Sequence, residues 1–457
     1  MSTPAPRKVY FVSLGCPKNQ VDTEVMLGVV RERGHLLVDS AAEADTLVVN
    51  TCGFIEEAKE ESIETILELG RAKAEGPRKR LVVAGCLSQR YPDELAAELP
   101  EVDHFLGSAD MLGLQKVLDG TAERSGVTPL SRRSYLYDHS TARQVIGRAH
   151  SVYMKIAEGC DRPCAFCIIP KLRGPQRSRS IDSLVAEASD LVDAGAREIC
   201  LVAQDLTTYG TDLAGAPTIE ALLDALGEID ELRWIRLHYA FPTTCRDGLL
   251  DRLAGHPKVA AYLDVPLQHV DTDVLKKMRR GYTERVVRDL VERLRARSPY
   301  IYLRTTMLVG HPGESEEAFR RLYEFVEEGA IDHLGVFPWS REEGTPSALL
   351  PGRVDQELAQ ERQMALMELQ EEIRLRKHQA LCGQILPVMI DRVSEESELL
   401  LDGRHEGQAP AIDGRVILTD GSARAGEIVQ ARVVQADAHD LIASLDLAGS
   451  VAAAAHG

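Results

Sequence analysis

Short apolar runs rich in valine alternate with helix-length segments in two blocks of this chain, and that alternation restricts the fold more than any other feature. In residues 8–107 the runs are "KVYFVSLG", "TLVVNTCG" and "RLVVAGC", each ending in glycine or cysteine. Between them lie segments such as "FIEEAKEESIETILELGRAKAEG", in which Ile55, Ala58, Ile66 and Leu69 fall roughly on one stripe. Strands that alternate with helices pair in parallel, because each helix carries the chain back to the same end of the sheet. From 152 to 340 the pattern resumes in "VYMKIAEG", "EICLVAQD", "WIRLHYAFP", "AYLDVPLQH", "YLRTTMLVG" and "HLGVFPW". Six such units predict an open or partial barrel, smaller than the closed eight-unit form.

The polar stretch at about 120–148 ("TAERSGVTPLSRRS") reads as a linker. A charged helical stretch, roughly 354–380, leads into "ILPVMIDRV", "ELLLDGR", "GRVILTD", "EIVQARVVQA" and "HDLIASL". Short strands at that spacing predict a small all-β barrel of about five strands. The expected class is α/β in three domains: a parallel βα domain at 7–122, a partial (β/α)6 barrel at 146–378 and a small antiparallel barrel at 379–449. A length of 457 residues suits several cores better than one.

Formal net charge is −18, and residues 379–457 hold twelve Asp/Glu, five Arg and no Lys, a local net of −7. Nucleic-acid binders show a basic footprint, whereas an acidic surface favours a basic protein partner. Simple solubility accounts for the charge equally well. The opening "MSTPAPRKVYFVSLG" has no apolar run before a cleavage-like site, and no stretch of about 18 apolar residues occurs. A cytoplasmic chain with no membrane span is expected, and there thiols stay reduced.

Nine cysteines are an odd number for a paired framework, so clustering points to metal binding or catalysis. "EGCDRPCAFCIIP" places Cys160, Cys164 and Cys167 directly after a strand, where barrels of this type gather their active sites. Thiolates select zinc, copper(I) or iron–sulfur clusters. Structural zinc wants four ligands, and no fourth is near. A cube of iron and sulfide on three thiolates would leave one iron open to a small molecule. Zinc and inert buried cysteines remain alternatives. Cys16 ("SLGCPKN"), Cys52 ("NTCGF") and Cys86 ("AGCLSQ") stand 36 and 34 residues apart, each where a strand run ends. In an open parallel sheet those positions share the ligand-binding edge, with helix N-termini that favour thiolate. A second three-thiolate site is expected there; small apolar core residues are the alternative. Cys200 reads as core, and Cys245 and Cys382 have no comparable placement.

Cys-x3-Cys-x2-Cys with Phe166 before the last cysteine, after the first strand of a six-unit barrel, resembles the radical S-adenosylmethionine (SAM) enzymes. In that family the open iron chelates the amino and carboxylate groups of SAM. An electron from the cluster splits SAM into methionine and a 5′-deoxyadenosyl radical, which abstracts hydrogen from carbon. Two cysteine trios with a small β-barrel behind the core are similar to the methylthiotransferases, which carry an N-terminal methylthiotransferase domain, a radical core and a TRAM barrel. The resemblance covers nearly the whole chain. One branch modifies adenosine in transfer RNA; the other modifies an aspartate of small-subunit ribosomal protein twelve. "SLGCPKNQVDTEVMLG", "NTCGFIEEAKEESIETIL", "EGCDRPCAFCIIPKLRG", "VAQDLTTYG" and "LDVPLQH" resemble the ribosomal-protein branch. The transfer-RNA branch tends to read Gln-Met-Asn after the first cysteine and Asn after Gly-Cys, where this chain has Pro17-Lys18-Asn19 and Asp161. A barrel that grips RNA should also be rich in Lys and Arg. His311 in "MLVGHPGES" departs from the aromatic or apolar residue frequent there.

The resemblance implies two 4Fe-4S clusters, at Cys16/Cys52/Cys86 and Cys160/Cys164/Cys167, and two SAM molecules per turnover. One methylates a sulfur on the open iron of the first cluster. The other yields the radical that takes hydrogen from the aspartate β-carbon, which then accepts the methylthio group. Gly310, Gly313 and Glu314 look like the family's SAM-binding glycine segment, although a plain strand-to-helix turn accounts for Glu314 equally. Gln204 and Asp205 close the second strand and would face SAM or substrate. No acid–base residue is assigned, and His238 and His269 read as structural or SAM-lining. Implied partners are the basic ribosomal protein and an electron donor, without direct RNA binding by the barrel. A transfer-RNA methylthiotransferase and a non-catalytic iron–sulfur or zinc scaffold are the rival readings.

Overall fold

The computed structural model describes residues 6–76 and 79–446. Its first sheet contains β1 (Lys8–Ser13), β2 (Leu36–Leu37), β3 (Thr46–Thr51), β4 (Arg80–Gly85), β5 (His104–Leu106) and β6 (Ser125–Gly126). They lie in the order β2-β1-β3-β4-β5-β6, all parallel. Successive side chains of a strand face opposite ways, and the packing follows. Val48 and Val82 join Val21, Val25 and Met26 of the helix Pro17–Glu32, whereas Leu47, Val49, Leu81 and Val83 join Ile66 and Leu69 of the helix Glu56–Ala74. Both faces are covered, which is why these runs show no polar alternation. Ile55 precedes the second helix and Ala58 is half-buried, so its buried stripe is Ser62, Ile66 and Leu69.

The stretch expected to be a linker packs tightly. Tyr137 is buried, and Arg143 donates to Glu24 of the first unit at 2.8 Å and to Glu187 of the second at 2.6 Å. Irregular backbone whose Arg143 is ion-paired to both units acts as a strap rather than a tether.

The second unit holds β7 (Ser151–Lys155), the small antiparallel pair β8 (Ala157–Glu158) and β9 (Arg177–Ser178), then β10 (Glu198–Val202), β11 (Trp234–Leu237), β12 (Val259–Asp264), β13 (Tyr302–Val309) and β14 (His333–Pro338). The sheet runs β7-β10-β11-β12-β13-β14, every pair parallel, with no pairing between β7 and β14. All six expected strands are present and the barrel is open. Three of its helices start on the capping side chains Ser180, Thr218 and Ser315, each accepting a backbone N–H of the first turn.

A 24-residue helix, Gln356–Gln379, leads to β15 (Ile385–Val393), β16 (Leu401–His405), β17 (Val416–Leu418), β18 (Ile428–Ala436) and β19 (Leu441–Ser444). These close in the order β15-β16-β17-β19-β18 around Val388, Ile390, Val416, Leu418, Val433 and Leu441. Every pair is antiparallel except β17 with β19. The boundary at 449 lies outside the described residues. The barrel docks on the second unit through buried charges: Arg404 reaches Glu198 at 2.7 Å, Asp391 accepts from Arg148 at 2.7 Å, and Asp413 accepts from Tyr262 Oη at 2.6 Å and from Arg304. Among the described residues no helix is long and apolar enough to cross a membrane.

Candidate active site

β1, β3 and β4 are neighbours, and each stops just before a cysteine of the first trio. Cys16 caps the helix Pro17–Glu32 and Cys86 opens the short helix Cys86–Arg90. Side-chain amides bind the three turns together. Asn19 donates to Leu14 O at 3.0 Å and Thr51 O at 2.9 Å, while Asn50 donates back to Asn19 O at 2.8 Å. Thr51 Oγ1 donates to Ala84 O at 2.6 Å, and Ser62 both accepts from Cys52 N and donates to Cys52 O. Gly15 has φ +87°, and a Cβ there would stand 3.0 Å from Cys52 Cβ, so glycine is required by both conformation and space. The widely spaced cysteines are thereby brought to one corner of the sheet.

The second trio sits between β8 and the helix Ile169–Arg173. Cys160 N donates to Gly174 O at 3.0 Å, Cys167 N to Cys164 O at 3.2 Å and Ala165 N to Met278 O at 2.8 Å. Two donors point at the sulfurs: Arg162 N at 3.4 Å from Cys160 Sγ and Arg280 Nη1 at 3.1 Å from Cys164 Sγ.

All six cysteines line one chamber of about 330 Å³. Phe54, Phe166, Phe241 and Leu172 make its walls largely apolar, with Lys18, Arg162, Gln204, Asp205 and Arg280 as polar points. Tyr239 and Gln268, also in the wall, hold positive φ of 67° and 71° without being glycine. Strain of that kind persists only where surrounding structure imposes it, and it concentrates at ligand sites. Among the described residues no three His, Cys, Asp or Glu side chains are close enough to hold a single metal ion.

Behind the chamber lies a balanced buried network. Lys155 pairs with Asp22 and, at 2.6 Å, with Glu158; Arg173 pairs with Asp22 and, at 3.2 Å, with Glu158. Burial would raise the Glu158 carboxyl, but Lys155 and Arg173 hold it far below the usual carboxylate range. Asp22 belongs to the first unit and the other three to the second, so the network fixes the two sheet edges across the chamber. Burial pushes the Cys86 and Cys167 thiols up to about 12 and Cys160 up to about 11. At Cys86, which opens a helix, desolvation works against the thiolate expected there. Such sulfurs ionise when positive charge such as iron faces them.

Gln204 is in the chamber wall, donates to Glu158 at 2.8 Å and leaves its buried Oε1 without a partner. Asp205 is held by Arg162 at 2.6 Å. Gly310, Gly313 and Glu314 are not in that wall. Glu314 instead accepts from Gly310 N at 2.9 Å and Arg362 at 2.6 Å, closing its own turn, and burial pushes its carboxyl up to about 7 against the pull of Arg362. His311 donates to or accepts from Ser347 Oγ at 2.8 Å. His238 lies 3.6 Å from the Asp264 carboxylate, and His269, 3.7 Å from Glu314, is fully buried. Cys200 is core in β10, Cys245 is buried and Cys382 is exposed. As site residues, Lys18, Tyr239, Gln268 and Arg280 are not marked by the sequence patterns above, where Lys18 serves only to separate the two branches. Only Lys18 had a signal, its place beside Cys16 in "CPKN". A second cavity, about 390 Å³ beside Tyr302, His333, Arg374 and His405, contains no cysteine.

Three family models match in series: the uncharacterized protein family UPF0004 at residues 8–107, the radical SAM superfamily at 154–326 and the TRAM domain at 382–445. The ribosomal protein uS12 methylthiotransferase RimO of Myxococcus xanthus (strain DK1622) is 48% identical over 97% of this chain and 92% of its own length. That of Geobacter sulfurreducens is 47% identical over 96% of this chain and 99% of its own. The chain belongs to the RimO family. It is thus a radical SAM methylthiotransferase, with SAM and iron–sulfur clusters as cofactors. Solved structures agree on the fold: the radical SAM methyltransferase TsrM of Kitasatospora setae superposes with TM-score 0.55 at 16% identity, covering 75% of this chain and 77% of that one. The cobalamin-dependent radical enzyme OxsB gives 0.51 at 12% identity, over 80% and 56%. For a RimO-family chain, six sulfur donors around one partly apolar chamber, with no oxygen or nitrogen ligand among them, form a donor set that fits iron–sulfur clusters.

Proposed function

We propose that this chain methylthiolates the β-carbon of an aspartate in ribosomal protein uS12, with Cys16, Cys52 and Cys86 holding one four-iron cluster and Cys160, Cys164 and Cys167 a second. The observation that carries the reading is that two trios, one at the ends of β1, β3 and β4 and the other on the loop after β8, open into one chamber. When bound, the second cluster would relay an electron from an external donor to SAM, SAM would supply the carbon radical and the methyl group, and the first cluster would hold the sulfur to be transferred. The protein supplies position and dryness. Arg280 and the Arg162 amide donate to Cys164 and Cys160, and hydrogen bonds to ligating sulfur tune a cluster's potential. The apolar walls exclude bulk water and so strengthen the electrostatic interactions inside the chamber. SAM is assigned to this chamber with Gln204 in its wall; Gly310, Gly313 and Glu314 enter as the family's glycine segment, a turn held by Arg362. No side chain is given an acid–base step.

The three domains, 7–122, 146–378 and 379–449, are assigned sulfur insertion, radical generation and substrate docking. Three barrel carboxylates, Asp391, Asp402 and Asp413, are buried and paired with arginine, so docking of a basic protein rests on exposed ones such as Glu398 and Glu427. Reaction in the cytoplasm, an external electron donor and no RNA grip by the barrel complete the reading. Mass spectrometry of uS12 from cells with and without this gene is expected to differ by one methylthio group on the aspartate-bearing peptide. An unchanged mass, with methylthio-adenosine lost from transfer RNA, would move the chain to the other branch.

A further inference from the structure

Lys18 is buried where a lysine is poorly placed for stability. It occupies the first turn of the helix Pro17–Glu32, the positive end of the helix dipole, where no acidic residue offsets it. Its side chain is only 9% exposed and lines the chamber. Nζ stands 3.8 Å from the centre of the Tyr239 ring and makes one long contact, 3.4 Å, to Ala203 O. A methionine of similar length would fill that space without the desolvation cost.

The other cations in the wall are engaged. Arg162 holds Asp205, Arg173 holds Asp22 and Glu158, and Arg280 donates from all three of its nitrogens, to Tyr282 Oη, Cys164 Sγ and Pro266 O. The carboxylates that act on Lys18 from a distance are also engaged, Glu158 by Lys155 and Asp264 opposite His238. Among the described residues no carboxylate is paired with Lys18. An ammonium with N–H donors to spare, stacked on a strained tyrosine in a mostly apolar chamber, is built to receive an anion.

We propose that Lys18 binds the side-chain carboxylate of the acceptor aspartate and so makes the site select an acid over its amide. The inference rests on the acceptor named under Proposed function and goes beyond it by assigning the residue that reads the acceptor. The β-carbon is bonded directly to that carboxyl carbon, so a grip on the carboxylate places the reacting carbon one bond away. Lys18 lies two positions from Cys16, on the unit outside the radical core, which favours the acceptor over the SAM carboxylate as the bound group.

The test uses anaerobically reconstituted holoenzyme with uS12 and with uS12 whose acceptor aspartate is replaced by asparagine. Wild type is expected to favour the aspartate form by roughly 10- to 100-fold in kcat/KM, the size of one charge-assisted hydrogen bond. Lys18→Met should bring that ratio close to one, mainly through a higher KM for the aspartate form, and Lys18→Arg should restore much of it. The ratio is taken within each variant, so a general loss of activity does not mimic the effect. A wild-type ratio near one overturns the proposal even if the variants do not fold. So does Lys18→Met with its preference intact, or with weakened equilibrium binding of SAM alone and its preference intact, which would assign the SAM carboxylate to Lys18. If wild type modifies neither form of uS12, it is the proposed function that fails.

Discussion

Replacing Cys16, Cys52 and Cys86 together by alanine is expected to halve the iron of the reconstituted protein, from about eight to about four per chain, and to abolish methylthio transfer. Reductive cleavage of SAM to 5′-deoxyadenosine should persist. The reason is the separation of the two trios in the fold. The first hangs on β1, β3 and β4, the second on the loop after β8, and the backbone of each is held by its own hydrogen bonds, such as Asn19 to Thr51 O and Cys160 N to Gly174 O. The three alanines remove sulfur without touching that backbone. Alanine at Cys160, Cys164 and Cys167 should instead remove both cleavage and transfer. Iron and sulfide analysis with product mass spectrometry reads both results. Eight irons retained in the first variant, or methylthio product still formed, would contradict the assignment.

Glu198→Ala is expected to cost about 3–5 kcal/mol, the range for breaking a buried ion pair on one side. Glu198 is fully buried and accepts from Ser151 Oγ, Arg236 Nε and Arg404 Nη2, each at 2.7 Å. Arg404 would keep Asp391, but Arg236, itself fully buried, would keep only Glu406 O as an acceptor. A guanidinium stranded in the core is the costly outcome, and the loss falls at the seam between barrel and radical core. Denaturant unfolding should show the barrel signal lost at lower concentration than in wild type. A midpoint equal to that of wild type would show that the seam does not depend on these charges.

The strands were legible because valine-rich runs that end in glycine or cysteine leave little else to form, and every such run became a strand. The convergence of Cys16, Cys52 and Cys86 was legible for a related reason: spacing of one βα unit places strand ends at one sheet edge. What lay beyond the sequence was long-range. Tyr239 and Gln268 take left-handed backbone without glycine, which no local pattern announces. Arg280 reaches Cys164 across 116 residues, and Asp22 reaches Lys155 across 133. The apparent linker contains ordinary polar residues, and only the folded chain shows Arg143 pinned between Glu24 and Glu187. Gly310 to Glu314 had the motif of a ligand turn, yet the turn closes on Arg362, whose position depends on the helix Gln356–Gln379 far along the chain.

Anaerobic crystals of the reconstituted protein, measured with X-rays at the iron edge, test the central assignment most directly. Two anomalous peaks should appear inside the one chamber, the first within bonding distance of Cys16, Cys52 and Cys86 and the second of Cys160, Cys164 and Cys167. A lone peak at the second trio, with the other three sulfurs bare or turned apart, would contradict it.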